Sequence, residues 1–281
     1  MKIAAITITY NDGYKFKEWC QWYEEYKDEI AIHIIVDNHS VPEYLQQVKN
    51  YFKNSIIIER TSNGGCTGAY NDGIRKAMED TDVDAIMLIA NDIYLPKGSI
   101  IKLYHFLKHD KKLGMVSPIS LAKDSNIVID FGSGISYNLI MEPYMHNYDI
   151  NNVMQKEHYC EAVSGGSNMA TRKFYEEVGL QDENLFMYSD EVDMAIRGKK
   201  RGFLFARTKS VKAWHQHVNE NNNNRRYPFS RYLVARNKVY LGRKHFGMGR
   251  AFHIFNFFIY DSLKGFLVNI IRWEPVLLKE Y

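Results

Sequence analysis

The chain has 281 residues, of which 46% are hydrophobic and only 6 are proline. This composition is sufficient for the core of one large α/β domain with an appendage, and it excludes a mostly disordered chain. The three cysteines, Cys20, Cys66 and Cys160, include no CxxC pair, so neither a disulfide framework nor a thiolate zinc site is predicted. Such cysteines favour a reducing compartment, and the apolar start is too short for an export signal, so we expect a cytoplasmic protein.

The net charge of +3 is unevenly distributed along the chain. Residues 225–281 carry 11 Lys and Arg against 3 Asp and Glu, which leaves 25 against 30 for residues 1–224. A basic segment can contact nucleic acid, anionic lipid or a phosphorylated molecule, and charge alone does not choose among them. Because no nucleic-acid-binding motif accompanies the charge, we expect no nucleic acid partner.

The first half of the chain alternates short β-branched runs with helical patterns. Strands are predicted at 3–9, 30–36, 55–59 and 84–90, and helices at 14–27, 42–53 and 66–79. This alternation indicates right-handed crossovers and a mostly parallel sheet, whose ligands bind beyond the carboxyl ends of the strands. The polar residues at those ends are Thr9, Tyr10, Asn11, Asp37, Asn38, Ser40, Asn91 and Asp92.

The second half has a looser pattern and a long polar, aromatic stretch at 136–160 that we interpret as a loop. The predicted elements are strands at 114–119, 126–132, 203–206 and 210–214 and helices at 171–178 and 189–200. An asparagine-rich run then indicates a polar linker or mobile loop. We therefore predict a main domain at 1–217, a linker at 218–227 and a basic, aromatic helical tail at 228–281.

A ridge of small residues lies within the predicted helix of NGGCTGAYNDGIRKA, with Gly65, Ala69, Gly73 and Ala77 at steps of four. Such a ridge lets a helix approach closely to a sheet or to a ligand. It fits either a diphosphate at a glycine-rich helix N-terminus or tight helix–sheet packing, which is the commoner cause.

Acidic residues mark two further positions. Asp92 follows the most hydrophobic strand, and a carboxylate together with phosphate oxygens suits Mg²⁺ or Mn²⁺; the alternative is that it caps a helix near Lys97. Asp190 and Glu191 begin a predicted helix after the apolar run LFMY, where a partly desolvated acid becomes a usable base. The alternative there is helix capping by Ser189 or Asp190.

His215 ends the last predicted strand of the main domain, within WHQH. An imidazole at that position could complete a metal shell that includes Asp92, although a lone histidine is more often structural.

Seven segments resemble, in their order and spacing, the family 2 glycosyltransferases of the GT-A fold, in particular the rhamnosyltransferase-like bacterial members. The segments are TYN (9–11), VDNHS (36–40), NGGCTGAYNDGI (63–74), ANDIYLP (90–96), SGGSNMATRKFYEEVG (164–179), FMYSDEVDMAIRGKKRG (186–202) and WH (214–215). The resemblance covers residues 3–245. It implies an α/β fold with a Rossmann-like, mostly parallel central sheet flanked by helices and followed by a C-terminal helical tail.

The family implies an inverting transfer of a sugar from a UDP- or dTDP-linked donor to a saccharide or lipid-linked acceptor, in cell-surface polysaccharide synthesis. The implied cofactor is a divalent cation, Mn²⁺ or Mg²⁺. The matched segments imply that Thr9, Tyr10 and Asp37 contact the nucleoside and that Asn63 and Gly65 lie near the base and diphosphate. The full set of implied donor-binding positions is Thr9, Tyr10, Asn11, Asp37, Asn63, Gly65, Asn91, Asp92, Gly165 and Gly166.

Two departures from the family pattern affect the predicted chemistry. Ala90 replaces the first acid of the DxD segment, so the predicted metal ligands are Asp92 and His215. The acids of YSDEVD are swapped, so that Asp190 stands where Glu is usual and Glu191 where the catalytic Asp is usual. We predict Glu191 as the general base, with Asp190 as its catalytic neighbour. These departures also leave open a catalytically degenerate carbohydrate- or lipid-binding protein of the same fold.

The tail combines 8 excess positive charges over residues 225–281 with many aromatic residues. The aromatic residues are Phe246, Phe252, Phe255, Phe257, Phe258, Phe266 and Trp273 together with Tyr232 and Tyr240. Such a helix suits the inner face of the cell membrane as a peripheral anchor. A stripe at helical spacing equally suits packing onto the main domain or a homodimer, and the residues leave these readings open.

Overall fold

The computed structural model describes residues 1–163, 166–216 and 227–272. The chain divides into two compact units, one of Met1–Gly134 with Met141–His217 and one of Ile135–Ile140 with Val218–Tyr281. The predicted linker at 218–227 lies outside the described residues except for Tyr227, where a helix begins.

The first half of unit 1 is a regular alternation of strands and helices. Its elements are β1 (Ile3–Thr9), α1 (Phe16–Tyr26), β2 (Ile32–Asp37), α2 (Pro42–Tyr51), β3 (Ile56–Glu59), α3 (Gly65–Met78), β4 (Ala85–Ile89), β5 (Ile93–Tyr94) and α4 (Ser99–His109). The strands β3, β2, β1 and β4 pair side by side, and all three pairings are parallel. Every residue of β4 is buried, as expected for a strand covered on both faces.

Most strands of the second half of unit 1 extend the same sheet with mixed pairing, and two short strands, β8 and β9, pair in a separate two-stranded sheet. Its elements are β6 (Leu113–Ala122), β7 (Val128–Asp130), β8 (Ser133–Ile135), β9 (Met141–Pro143), β10 (Glu157–Cys160), β11 (Ser167–Thr171), α5 (Arg172–Val178), α6 (Asp190–Lys200) and β12 (Leu204–His215). The order of the main strands is β10-β12-β6-β11-β4-β1-β2-β3, with β11 antiparallel to both of its neighbours. The expected α/β architecture with helices around a central sheet is confirmed.

Two expectations for this half were wrong in detail. The predicted strands at 203–206 and 210–214 form the single strand β12, because pairing with β6 resumes after a register irregularity between Thr208 and Lys212. A hydrogen bond from the Ser210 backbone N–H to Thr208 Oγ1 (3.1 Å) closes the bulge locally. The stretch at 136–160 also contains the short strands β9 and β10 rather than loop alone.

The beginning of α4 shows which acid caps it. The carboxylate of Glu29 accepts hydrogen bonds from the backbone N–H groups of Gly98, Ile100 (2.9 Å) and Ile101 (3.1 Å). Glu29 therefore satisfies the exposed donors of the first turn. The alternative that Asp92 caps this helix is wrong, and its carboxylate makes other contacts.

All three cysteines carry free thiols. Burial raises the pKa of Cys20 and of Cys160 to about 11. Burial, followed by the charge of nearby carboxylates, raises the pKa of Cys66 to about 12.

Unit 2 is built on the helices α7 (Tyr227–Phe246) and α8 (Met248–Arg272). They are joined at Gly247, whose φ of 89° favours glycine. Gly242 allows close packing of the two helices, since a Cβ there would lie 2.9 Å from the Ile254 side chain. The segment 135–140 joins this unit through Lys238 Nζ, which donates to the Leu139 carbonyl (2.9 Å). Among the described residues, no helix combines the length and apolar character needed to cross a membrane.

Candidate active site

The Asp92 cluster, which we define as Asp12, Lys15, Asn91, Asp92 and His215, lies at the carboxyl ends of β1, β4 and β12. The pairing of β5 with β12 sets His215 opposite Ile93, and this brings the imidazole to the neighbouring aspartate. His215 Nε2 lies 3.4 Å from Asp92 Oδ1. On the other side, Lys15 Nζ donates to Asp92 Oδ2 at 3.0 Å.

Asp12 organises the other half of this cluster. Its Oδ2 accepts hydrogen bonds from Asn91 Nδ2 (2.9 Å), from the Tyr10 backbone N–H (3.1 Å) and from Thr9 Oγ1 (3.4 Å). Its Oδ1 lies 3.8 Å from Lys15 Nζ. Our sequence analysis missed Asp12 and Lys15. The signal that could have identified Asp12 is its position directly after TYN, at the end of β1.

Electrostatics keep Asp92 ionised. Burial alone would raise the pKa of Asp92, but the His215 imidazole and the Lys15 ammonium outweigh it and hold that pKa well below its ordinary value. The pKa of Lys15 is raised, because attraction to Asp92 and Asp12 outweighs its burial. Asp92 is therefore an anion whose Oδ2 contacts the Lys15 ammonium and whose Oδ1 lies beside the His215 imidazole.

The residues of this cluster fit a divalent cation in part. A carboxylate oxygen and an imidazole nitrogen 3.4 Å apart are close enough to bind one ion together. Among the described residues, no group of three or more His, Cys, Asp or Glu side chains is arranged to hold a metal. Asp92 and His215 would thus supply two ligands, with further oxygens from a bound diphosphate and water.

The predicted nucleoside contacts lie beside this cluster, at the ends of β1 and β2. Thr9 and Asp37 are paired neighbours in the sheet and both are buried. Asp37 Oδ2 accepts a hydrogen bond from the Ser40 backbone N–H (3.0 Å), whereas Asp37 Oδ1 is buried without a hydrogen-bond partner. Tyr10 is exposed, and Asn11 Oδ1 accepts a hydrogen bond from the Val41 backbone N–H (2.9 Å).

Asn38 connects the end of β2 to the glycine-rich segment, and the sequence analysis assigned it no role. Its Nδ2 donates to Asn63 Oδ1 (2.9 Å) and to the Gly65 carbonyl (3.1 Å). Its Oδ1 accepts from the Gly64 backbone N–H (3.1 Å). One buried amide therefore fixes Asn63 and Gly65 relative to Asp37.

At Gly65, the start of α3 packs closely against the segment that precedes α6. Its φ is +71°, and a Cβ there would lie 2.0 Å from the Phe186 carbonyl oxygen. That oxygen accepts a hydrogen bond from the Thr67 backbone N–H (3.2 Å). Further along the ridge, a Cβ on Gly73 would lie 2.4 Å from Ile6, so that end of the ridge serves helix–sheet packing.

The acidic pair, by which we mean Asp190 and Glu191, forms the first turn of α6. The Ser189 side chain makes no capping hydrogen bond there, so capping by Ser189 does not explain the segment. Burial, followed by the charge of Glu191, raises the pKa of Asp190 well above its usual range. Asp193 is structural, because it is fully buried and pairs with Arg197 (2.8 Å).

A small cavity of ≈ 20 Å³, enough for about one water molecule, adjoins the acidic pair. It is lined by Tyr70, Leu88, Met115, Gly166, Asn168, Gln181, Asp190, Glu191 and Met194. The structure thus brings Gly166 to the acidic pair, while the Gly166 carbonyl accepts a hydrogen bond from the Ala90 backbone N–H (2.6 Å). The other predicted glycine, Gly165, lies outside the described residues.

One face of α3 is adjacent to both acidic centres. Burial comes first among the causes that raise the pKa of Cys66, followed by the charges of Asp190, Glu191 and Asp92. The pKa of Tyr70 is raised by burial and by the same three carboxylates, together with Cys66. The charges of the Asp92 cluster and of the acidic pair therefore act on the same two side chains of α3, which lie one helical turn apart.

An open α/β sheet with polar strand ends and an acidic helix start agrees with the GT-A glycosyltransferase fold that the resemblance implies. The family model described as glycosyl transferase family 2 matches residues 21–178, which is more than half of the chain. The protein belongs to this family.

One curated relative and several solved structures extend this finding. The chain is 24% identical over 193 residues to the low-salt glycan biosynthesis hexosyltransferase Agl10 of Haloferax volcanii, covering 66% of this chain and 59% of that protein. The chain therefore spans less than two thirds of that relative's length.

Three solved structures share the fold at low identity. GalNAc-T7 with UDP, GalNAc and Mn²⁺ has a TM-score of 0.63 at 12% identity, covering 78% of this chain and 44% of that chain. The mannosyltransferase PcManGT of Pyrobaculum calidifontis with GDP-Man and Mn²⁺ has a TM-score of 0.61 at 13% identity, covering 99% and 83%. S. aureus TarS 1–349 with UDP-GlcNAc has a TM-score of 0.56 at 13% identity, covering 92% and 72%. The GT-A fold is confirmed, and the rhamnosyltransferase-like subgroup stays a prediction.

Proposed function

We propose that this protein transfers a sugar from a nucleotide-diphospho-sugar to a saccharide or lipid-linked acceptor, with inversion at the anomeric carbon, in cell-surface polysaccharide synthesis. The observation that carries the proposal is the pairing of two different acidic centres within one site. The pKa of Asp92 is lowered beside His215 and Lys15, whereas burial and Glu191 raise the pKa of Asp190. A cation site stabilises a leaving diphosphate and a base activates an acceptor hydroxyl, so the two centres together suit an inverting transfer from a diphosphate.

The donor nucleoside is proposed to bind at the ends of β1 and β2. Asp37 Oδ1 is a buried acceptor without a partner, which suits an N–H or O–H donor of a base or ribose. Thr9, Tyr10, Asn11 and Asn63 line the same edge of the sheet. UDP or dTDP is the proposed nucleotide; the similar structures named above contain UDP, UDP-GlcNAc or GDP-Man.

Asp92 and His215 are the proposed ligands of Mn²⁺ or Mg²⁺. When bound, such an ion stabilises the negative charge that develops on the leaving diphosphate. Asn91, held by Asp12, keeps the neighbouring strand end in place. Gly166 is proposed to let the acceptor and the donor sugar approach the backbone closely, because it carries no side chain.

Glu191 is the proposed general base. Burial and the neighbouring Glu191 carboxylate raise the pKa of Asp190, which assigns different roles to the two acids of the pair. Glu191 takes the proton of the acceptor hydroxyl as that oxygen forms a bond to the anomeric carbon. The bond from the anomeric carbon to the diphosphate oxygen breaks on the opposite face, which produces inversion.

A nucleotide-sugar screen tests this proposal. UDP- and dTDP-sugars should raise the thermal midpoint more with Mn²⁺ than without it, because a ligand of the folded state stabilises it. The best donor should then be hydrolysed or transferred, and NMR of the product should give the opposite anomeric configuration. Donor binding without any turnover would favour the degenerate binding protein instead.

Localisation is part of the same proposal. We place the enzyme in the cytoplasm, peripherally on the inner face of the cell membrane, where a lipid-linked acceptor would be accessible. The predicted division into a catalytic domain at 1–217 and a tail at 228–281 remains part of this proposal.

A further inference from the structure

The helix α8 exposes an apolar stripe, which we define as Met248, Phe252, Phe255, Ile259 and Leu263. These residues are spaced by 4, 3, 4 and 4 positions, so they line one face of the helix. Their exposed fractions are 66%, 65%, 50%, 47% and 57% in that order. The stripe is therefore a continuous apolar face rather than a set of scattered surface residues.

The opposite face of α8 already packs within unit 2. Ala251 and Ile254 are buried, and both lie against Gly242 of α7. Leu233 and Leu241 of α7 are buried as well. The apolar stripe is thus additional to the residues that hold the two helices together, and we expect its substitution to leave that packing intact.

The charge of this unit selects the kind of partner. Residues 227–272 contain 8 Lys and Arg against the single acid Asp261. Arg243, Lys244 and Lys264 are exposed on the two helices. A second copy of the chain would bring an equal positive charge against this one, which opposes self-association. An anionic surface with an apolar interior complements both features.

We propose that the apolar stripe of α8 inserts into the acyl boundary of a membrane that contains anionic lipid, while the basic residues contact the headgroup phosphates. The helix has 25 residues and would lie in the plane of the interface. This inference rests on the membrane localisation proposed above and names the surface that would contact the lipid. It is argued from unit 2 alone, so its failure leaves the transfer chemistry proposed for unit 1 unaffected.

Vesicle co-sedimentation of the full-length protein tests the proposal. The wild type should sediment with phosphatidylcholine vesicles containing phosphatidylglycerol, bind pure phosphatidylcholine more weakly, and be released by high salt. The double variant Phe252→Asp/Ile259→Asp should lose about tenfold or more of this binding, because it charges the inserted face. The matched control is Met154→Asp, which charges an exposed methionine of unit 1 (85%) and should bind as the wild type does.

A second pair of variants separates the charge from the stripe. Arg243→Glu/Lys244→Glu should reduce binding to the anionic vesicles and weaken its salt dependence, with a normal thermal midpoint. The proposal is overturned if the wild type stays in the supernatant with anionic vesicles at low salt. It is also overturned if sedimentation velocity shows a dimer that Phe252→Asp/Ile259→Asp converts to a monomer, because the stripe is then a subunit interface.

Discussion

The Asp92 cluster and the acidic pair use the same kind of side chain in opposite ways. At Asp92, a lysine and an imidazole outweigh burial, and the pKa falls. At Asp190, burial and a second carboxylate act in the same direction, and the pKa rises. The difference shows that neighbours, more than residue type, decide whether a carboxylate holds a cation or a proton.

The largest expected effect is on the transfer rate, after substitution of Glu191 in the acidic pair. Glu191→Gln should lower the transfer rate by about 10²- to 10⁴-fold, the usual contribution of a general base, while donor affinity stays near the wild-type value. Single-turnover kinetics and calorimetric donor titration measure the two quantities. If Glu191→Gln retains turnover and Asp190→Asn loses it, the base is Asp190.

Substitution of Asp92 in the Asp92 cluster should change donor binding rather than proton transfer. Asp92→Asn removes the anionic ligand. The factor by which Mn²⁺ improves UDP or dTDP affinity should therefore be at least about tenfold smaller than in the wild type, because loss of even an outer-shell partner of a metal ligand lowers metal affinity by about that much. Titration calorimetry with and without Mn²⁺ measures this difference. An equal Mn²⁺ effect in the variant and the wild type would remove Asp92 from the metal site.

A smaller effect, on Mn²⁺ affinity, is expected from substitution of Lys15 in the same cluster. Its ammonium occupies one oxygen of Asp92, so a divalent cation has to compete with it. Lys15→Met should therefore bind Mn²⁺ without nucleotide about fivefold more tightly, equivalent to about 1 kcal/mol, as observed by electron paramagnetic resonance of free Mn²⁺. Lys17→Met, on the exposed side of α1, is the matched control and should leave the affinity unchanged. Unchanged or weaker binding in Lys15→Met would contradict the competition.

The smallest effect is on the pH dependence of stability. Because folding raises the pKa of Asp190, its protonated form stabilises the folded state at low pH, and that contribution is lost as pH rises through the folded pKa. Asn cannot ionise, so Asp190→Asn should melt a few degrees above the wild type near pH 8, and this gain should shrink toward about pH 4. Thermal melts across this range measure it, with the exposed Asp28→Asn as control. A gain that is independent of pH would argue against a raised pKa.

Periodicity was sufficient to order the elements of the sheet. The predicted first-half strands and helices occur in the predicted order, because alternation of period reports directly on local structure. The division of β12 into two strands was wrong, since a local bulge looks like a break when the partner strand is not known.

The proximity of candidate site residues was predictable only where a residue lies at the end of a strand or begins a helix. Asp92 follows β4 and His215 is the last residue of β12, positions that a sequence displays, and the two side chains lie 3.4 Å apart. Glu29 was not assigned a role, since its capping of α4 joins residues about 70 positions apart along the chain. The role of Asn38 was equally hard to predict, because the hydrogen bonds of its side-chain amide depend on how the 63–65 segment folds against β2.

The raised pKa values of all three thiols have a practical consequence for bioconjugation. With values of about 11 for Cys20 and Cys160 and about 12 for Cys66, only about one thiol in ten thousand or fewer is ionised at neutral pH. Maleimides react with the thiolate, so the natural cysteines should label slowly. A cysteine introduced by Leu263→Cys on the exposed stripe should react first and carry a single polarity-sensitive dye, without any need to remove the native thiols.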